Sequence, residues 1–202
     1  MKKILITQKI FEDKYKQLAN SIEMYWYDYF FKKNVILIPI GNSKNFEKKF
    51  SELNPDSIIL SGGGDIFKSK KNKENLLRDS FEKKLIKLSI KKKIPILAVC
   101  RGFQLVADLY KEKLLKVKGH AGANHLIKTN IKSHIKNIDV NSYHNYGIKK
   151  LPKHFTVLAR HSDGSIEIAK SSKYNILCTM FHPERKNKSQ LSVNKLIFSH
   201  IL

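Results

Sequence analysis

Two cysteines, four arginines and no long apolar run set the first limits on this 202-residue chain. Cys100 and Cys178 are too few and too far apart for a disulfide framework, so a reducing cytoplasm fits. No apolar stretch is long enough to cross a bilayer, which argues against a membrane partner. The opening Met-Lys-Lys-Ile-Leu-Ile-Thr has an apolar part of only Ile4 to Ile6, interrupted by Gln8-Lys9, and reads as a first strand rather than a signal peptide. Arginine occurs only at 78, 101, 160 and 185, which leaves 35 of the 39 basic residues as lysine. The net charge of +22 invites a nucleic-acid reading, but arginine is the residue suited to bidentate phosphate and base contacts. The lysines are also scattered along the chain, so no specific nucleic-acid partner is expected. A positive field still favours an anionic small substrate such as a nucleotide.

No internal repeat, low-complexity tail or flexible linker breaks the chain, and its length suits one domain over 1–202. Apolar strand-like runs at Lys3–Thr7, Val35–Pro39, Ser57–Leu60 and Pro95–Val99 alternate with helical patterns. Those patterns cover 15–31, Phe46–Leu53, Leu76–Lys92 and Phe103–Tyr110, the third with Leu77, Phe81, Leu85 and Leu88 on one stripe. The order predicts a three-layer α/β sandwich with a mainly parallel central sheet. The second half changes character. Val117–Ile131 is rich in Gly, His and Asn and reads as loops with a small added β-hairpin. Strands are expected near 138–141, 156–159, 165–169 and 176–181, and a closing helix over Val193–Leu202.

Three patterns carry chemistry. In Ile94-Pro-Ile-Leu-Ala-Val-Cys-Arg-Gly-Phe-Gln104 an apolar strand stops at Cys100 and a helix follows. That is the layout of a nucleophile elbow, with an exposed thiol at its tip and a helix N-terminus favouring negative charge beside it. A lone cysteine is equally often a small buried hydrophobe. Leu60-Ser-Gly-Gly-Gly-Asp65 follows a strand, and its glycines allow close backbone approach and offer N–H groups to a developing oxyanion. By itself it is also a plain turn. Met180-Phe-His-Pro-Glu184 ends the last apolar strand, with a carboxylate two residues beyond a histidine that it can orient. Alone it reads more readily as a surface turn. The order is what joins them: each follows a predicted strand, and active sites of open parallel sheets gather at the strand carboxyl ends.

Val-Cys-Arg-Gly-Phe-Gln, Ser-Gly-Gly-Gly-Asp and Phe-His-Pro-Glu together resemble the class I glutamine amidotransferase-like superfamily. Val140-Asn-Ser-Tyr-His144 and His161-Ser-Asp-Gly-Ser-Ile-Glu167 are similar to motifs of its γ-glutamyl hydrolase branch. The resemblance covers nearly the whole chain. It implies a flavodoxin-like fold and a Cys-His-Glu triad that cleaves a γ-glutamyl amide through a thioester, without metal or other cofactor. Carried onto this sequence, Cys100 is the nucleophile, His182 the proton carrier and Glu184 its orienting carboxylate. The backbone N–H groups of Gly63 and Arg101 form the oxyanion hole. Gly62, Gly64, Gln104, Asn141, Ser142, Tyr143 and His144 bind substrate. Asp163 and Glu167 shape the site. A narrower resemblance, carried by Ile6-Thr-Gln-Lys9, Tyr25-Trp26 and Leu77-Arg-Asp-Ser-Phe-Glu82, is to enzymes of bacterial surface-polysaccharide phosphoramidate assembly. Those release glutamate from γ-glutamyl-CDP-amidate, a nucleotide-linked small molecule.

The chain is shorter than branch members acting on γ-glutamyl amines or folate polyglutamates. Its segment Lys118–His125 keeps a Gly-His pair but departs from the usual His-rich stretch. His120 and His125 read as loop histidines or as substrate contacts, His134, His154 and His200 as surface residues, and Cys178 as core. Competing readings are a glutaminase subunit that delivers ammonia to a separate synthase partner, a γ-glutamyl-amine hydrolase, and a binding module without activity.

Overall fold

A computed structural model describes residues 1–43, 45–131, 134–185 and 191–202. The first half lays down β1 (Lys2–Thr7), β2 (Lys9–Glu12), β3 (Leu18–Ser21), α1 (Tyr25–Phe30), β4 (Val35–Ile40), α2 (Phe46–Leu53), β5 (Ser57–Leu60), α3 (Lys73–Lys91), β6 (Ile96–Val99) and α4 (Arg101–Leu109). The second half adds β7 (Leu114–Lys116), β8 (Ala121–Ile131), β9 (His134–Tyr143), β10 (Tyr146–Ile148), β11 (Phe155–His161), β12 (Ile166–Ser171), β13 (Ile176–Thr179) and α5 (Leu191–Ile201). One nine-stranded sheet runs β4-β1-β5-β6-β13-β12-β11-β8-β9. Its first five strands are mutually parallel and the rest antiparallel. This is the expected α/β sandwich, a mixed sheet with flanking helices.

Alternation within the parallel strands explains the layers. Leu5, Ile58, Leu60, Ile96 and Ala98 face one way and pack with Phe46 and Phe50 of α2, Phe81 and Leu85 of α3 and Phe103 of α4. Ile4, Ile6, Ile59, Leu97 and Val99 face the other way, against Trp26 and Phe30 of α1 and Val193, Ile197 and Ile201 of α5. Each such fully buried side chain contributes about 1.5–3 kcal/mol of transfer free energy.

Three expectations are corrected. Residues 15–31 are not one helix: only Tyr25–Phe30 is helical, and β2 and β3 pair as an antiparallel hairpin. The Asp13 carboxylate accepts the N–H groups of Tyr15 and Gln17, each at 2.9 Å, and Lys16 adopts a left-handed φ of 64°. That local turn overrides the helical spacing. The segment from Val117 to Ile131 does enter an antiparallel hairpin, but not as a small appendage. It forms β8, which pairs with β9 along its length and joins the main sheet through β11. On α3, the stripe of Leu77, Phe81, Leu85 and Leu88 is only part of the inward face, since Arg78, Asp79 and Glu82 are buried beside it.

Candidate active site

Cys100 sits between β6 and α4 with φ 50° and ψ −103°, a conformation rare for any residue with a side chain. Such strain costs on the order of 1–3 kcal/mol and persists because both flanking elements are held. The Cys100 N–H donates to the Thr179 carbonyl at 2.8 Å, and its own carbonyl accepts the Gln104 N–H at 3.0 Å. Gly102 is required by packing: a Cβ there would lie 2.5 Å from the Leu60 carbonyl oxygen. The sequence predicts an exposed thiol, but Cys100 is only 5% exposed, because it packs into the apolar layer with Val99 and Phe181. Cys178 is fully buried, and burial pushes its thiol pKa up.

His182 lies just beyond β13, with Nδ1 2.6 Å from Glu184 Oε1. Its ring also hydrogen-bonds Cys100. Burial alone would lower the imidazole pKa. Cys100 and Glu184 outweigh that and raise it to about 10, which favours the imidazolium at neutral pH. Two further contacts hold the His182 backbone. Asn141 Oδ1 accepts the His182 backbone N–H at 2.9 Å, and Asn141 Nδ2 donates to the His182 carbonyl at 2.8 Å. The backbone of Gly62 lies against the imidazole so closely that a Cβ there would sit 2.4 Å from Cε1.

The glycine loop is aimed from behind by Arg78. Its guanidinium donates to the carbonyls of Ser61 (2.7 Å), Gly62 (3.2 Å) and Gly63 (2.8 Å). A planar trans peptide holds C=O and N–H on opposite sides, so the N–H groups of Gly62, Gly63 and Gly64 face away from Arg78. Gly63 and Gly64 reach this path with φ of 82° and 76°. Arg101 is the first residue of α4, where the helix provides its N–H with no internal partner. The Arg101 side chain is fully buried and donates to Glu82, Asp79 and the Asp65 carbonyl. Glu82 also accepts from Arg78 Nε (2.9 Å) and Thr7 Oγ1 (2.6 Å). Two cations and two anions thus close a buried network joining the glycine loop to the elbow. Burial, then the like charge of Arg101, lowers the Arg78 pKa to about 10, which leaves it charged at neutral pH. Burial raises Glu82, but Arg101 and Arg78 more than reverse this and hold it below the usual carboxylate range.

The remaining sequence candidates divide. Tyr143 is half-exposed, its ring edge-on to His182 at 5.9 Å and under the Arg185 guanidinium at 4.2 Å. Gln104 is buried and donates to the Tyr146 carbonyl at 3.0 Å. Both ends of the Asn141 amide are occupied by His182, Ser142 Oγ donates to the His120 carbonyl, and His144 is buried beside His120. His125 is not a loop histidine, because β8 carries it inward; His120 does lie in the loop just before β8, but it is buried there rather than exposed. His200 is not a surface residue either. It is buried, with Nε2 3.1 Å from the Ile96 carbonyl. His154 is half-buried among Tyr110, Phe155 and Tyr174, and the side chain of His134 lies outside the described residues. A cleft of about 210 Å³ opens beside the triad, lined by Lys9, Glu23, Trp26, Gly62, Gly63 and Glu184 among others. The sequence reading missed the structural part of Arg78, Asp79 and Glu82. The one available signal was their spacing, which puts charge on the inward side of an otherwise apolar helix.

The family model for glutamine amidotransferase class-I matches residues 10–198. The chain belongs to the class I glutamine amidotransferase family. It is 30% identical over 186 residues to the γ-glutamyl-CDP-amidate hydrolase of Campylobacter jejuni, covering 90% of each chain. It is 31% identical over 150 residues to a glutamine-hydrolyzing GMP synthase subunit of Methanosphaera stadtmanae, covering 72% of this chain and 73% of that one. In fold it matches the crystal structure of a protein described as a GMP synthase subunit from Thermoplasma acidophilum, with a TM-score of 0.74 at 20% identity over all of this chain and 92% of the other. Family membership together with a hydrolase relative supports an amide-hydrolysing enzyme. Among the described residues no helix is long and apolar enough to cross a membrane.

Proposed function

We propose that this amidotransferase-family chain is a stand-alone hydrolase that releases glutamate from a γ-glutamyl amide, with γ-glutamyl-CDP-amidate as its donor. The observation that carries the reading is the His182 ring held between Cys100 and Glu184 at a strained strand-to-helix turn. The Cys100 thiolate adds to the γ-carbonyl carbon, and the charge passes to the carbonyl oxygen. The N–H groups of Gly63 and Arg101 receive that oxyanion. As the C–N bond breaks, the His182 imidazolium gives its proton to the leaving nitrogen, and a γ-glutamyl thioester remains. Water then adds to the thioester carbon while His182 takes its proton. Cleavage of the C–S bond frees glutamate and restores the thiolate. Glu184 keeps the ring in register and balances its charge throughout.

The nucleotide-linked donor is favoured by the relative from C. jejuni and by the cation beside the site. The stem of Lys9 lies 3.7 Å from the point where a Gly63 Cβ would sit and 3.9 Å from the corresponding point at Gly64. Its ammonium is therefore within reach of a diphosphate in the cleft.

The test is glutamate release from glutamine, a γ-glutamyl alkylamine and γ-glutamyl-CDP-amidate in parallel, with Cys100→Ala as control. Fast Cys100-dependent release from the CDP-amidate, yielding cytidine diphosphoramidate, is expected. Preference for the alkylamine would reassign the leaving group. Silence with all three would move the reading to a synthase-dependent glutaminase, the activity named in the Methanosphaera relative.

A further inference from the structure

Four metal-ligating side chains to which the proposed mechanism gives no step converge from β8 (His125), β12 (Glu167), the loop before β8 (His120) and the turn after β9 (His144). His120 and His144 are almost fully buried, Glu167 is fully buried, and the side chain of His125 is 7% exposed. One ligand atom from each of the four lies within 4.8 Å of every other. His120 Nδ1 is 3.4 Å from His144 Nε2, His125 Nε2 is 3.5 Å from Glu167 Oε2, and His144 Nε2 is 3.6 Å from Glu167 Oε1. Ligands held at about 2.0–2.1 Å around a tetrahedral ion are about 3.3 Å apart, so these separations are close to the edges of such a tetrahedron.

The hydrogen bonding points the same way. His144 Nδ1 lies 3.1 Å from the Tyr146 carbonyl, which only accepts, so Nδ1 carries the proton and Nε2 turns a lone pair inward. His120 Nε2 lies 3.3 Å from the Asp163 carboxylate, which by the same reasoning leaves Nδ1 a lone pair facing that of His144. Both oxygens of Glu167 and both ring nitrogens of His125 are buried without a hydrogen-bond partner among the described residues. The imidazoles of His125 and His144 face the Glu167 carboxylate only at 3.5 and 3.6 Å, beyond good hydrogen-bond length, and a buried carboxylate held so loosely among ring nitrogens is better satisfied by a cation between them. The carbonyl behind His144 and the carboxylate behind His120 are the outer partners that metal-bound imidazoles use.

We propose that His120, His125, His144 and Glu167 bind one tetrahedral divalent transition-metal ion, best matched by zinc, as a structural centre beside the hydrolytic site. Three imidazoles select against magnesium and calcium, which require oxygen ligands. Four protein ligands complete the tetrahedron, so the ion does not take part in amide cleavage. It would bind β8 and the turn after β9 to β12. Two links run from there to the triad: the Tyr146 carbonyl that holds Gln104, and the Glu167 carbonyl that accepts the Met180 N–H at 2.9 Å. The proposal does not depend on which amide is cleaved.

The experiment uses the full chain without an affinity tag, stripped with chelator, and titrates zinc and cobalt(II) into wild type and Cys100→Ala. Expected are one equivalent bound in both, the intense visible absorption of tetrahedral cobalt(II), and a melting temperature raised by roughly 5–10 °C at a hundredfold excess over Kd. His125→Ala and Glu167→Gln should each weaken binding at least a hundredfold. His161→Ala removes a ring stacked 4.4 Å from that of His125 but none of the four ligands, and should keep the full equivalent. Absence of stoichiometric binding to wild type overturns the proposal. So does loss of binding in Cys100→Ala, which would place the ion on the thiolate. Loss in His161→Ala with retention in Glu167→Gln would place it on the neighbouring His161–Asp163 group and equally refute the assignment.

Discussion

Replacing Gly62 with alanine isolates the placement of His182 from every other feature of the site. The new Cβ would stand 2.4 Å from Cε1, 3.1 Å from Nε2 and 3.3 Å from Nδ1 of the imidazole. Carbon atoms in contact rest at about 3.5–4.0 Å, so the ring must retreat by about 1 Å. Gly62 does not occupy the left-handed region, so the cost is steric rather than conformational. A ring bound to Glu184 at 2.6 Å and to Cys100 on its other side has no slack for such a shift without losing hydrogen-bond geometry. A 1 Å misplacement of a reacting group costs about 100-fold in rate, or roughly 2.7 kcal/mol of transition-state stabilisation. Overpacking should also lower stability by about 1–3 kcal/mol. The assay is kcat/KM for Cys100-dependent glutamate release, with urea unfolding alongside. Gly41→Ala is the control, because its Cβ would meet only ordinary contacts, the nearest at 3.5 Å. Activity of Gly62→Ala within about threefold of wild type would refute both the close packing and the role given to His182.

Other consequences are open to measurement. Asn141→Ala leaves the buried His182 carbonyl and N–H unpaired, and should cost about 1–3 kcal/mol in urea unfolding together with a fall in kcat. Unchanged kcat would mean that the ring is held without this clamp. Glu82→Gln uncovers the charges of Arg78 and Arg101 and should destabilise by about 3–5 kcal/mol, read as a lowered urea midpoint. Lys9→Glu should raise KM for γ-glutamyl-CDP-amidate and leave cleavage of an uncharged γ-glutamyl amine unchanged. Equal effects on both would remove the diphosphate contact. The imidazole of His182 should titrate near 10 by NMR and fall toward its ordinary value in Cys100→Ala, which lacks the larger of the two charges that raise it. Because the folded pKa is the higher one, the stabilisation from this ionisation is complete below about pH 6.5 and is lost as pH rises through about 10. A wild-type value near 6.5 would contradict the pairing.

Much of this protein was decided locally. Four short buried strands separated by helices dictate a parallel core, because an apolar run of four or five residues satisfies both of its faces only between two helical layers. The ends of β5, β6 and β13 then fall on one edge of the sheet. The glycine loop, Cys100 and His182–Glu184 were therefore legible from motif order alone. Periodicity failed at 15–31, where the Asp13 carboxylate and a left-handed Lys16 turn the chain into a hairpin. Helical spacing does not register one side-chain-to-backbone bond that ends a helix before it starts. Tertiary structure alone decided the rest. No local pattern pairs Asp79 and Glu82 with Arg101, which reaches them in the interior from another helix. His120, His125, His144 and Glu167 span 48 positions, two strands and two loops, and only the antiparallel half of the sheet brings them within reach of one another. Strand pairing depends on contacts between residues far apart in the chain, and no local pattern records which of those residues will meet.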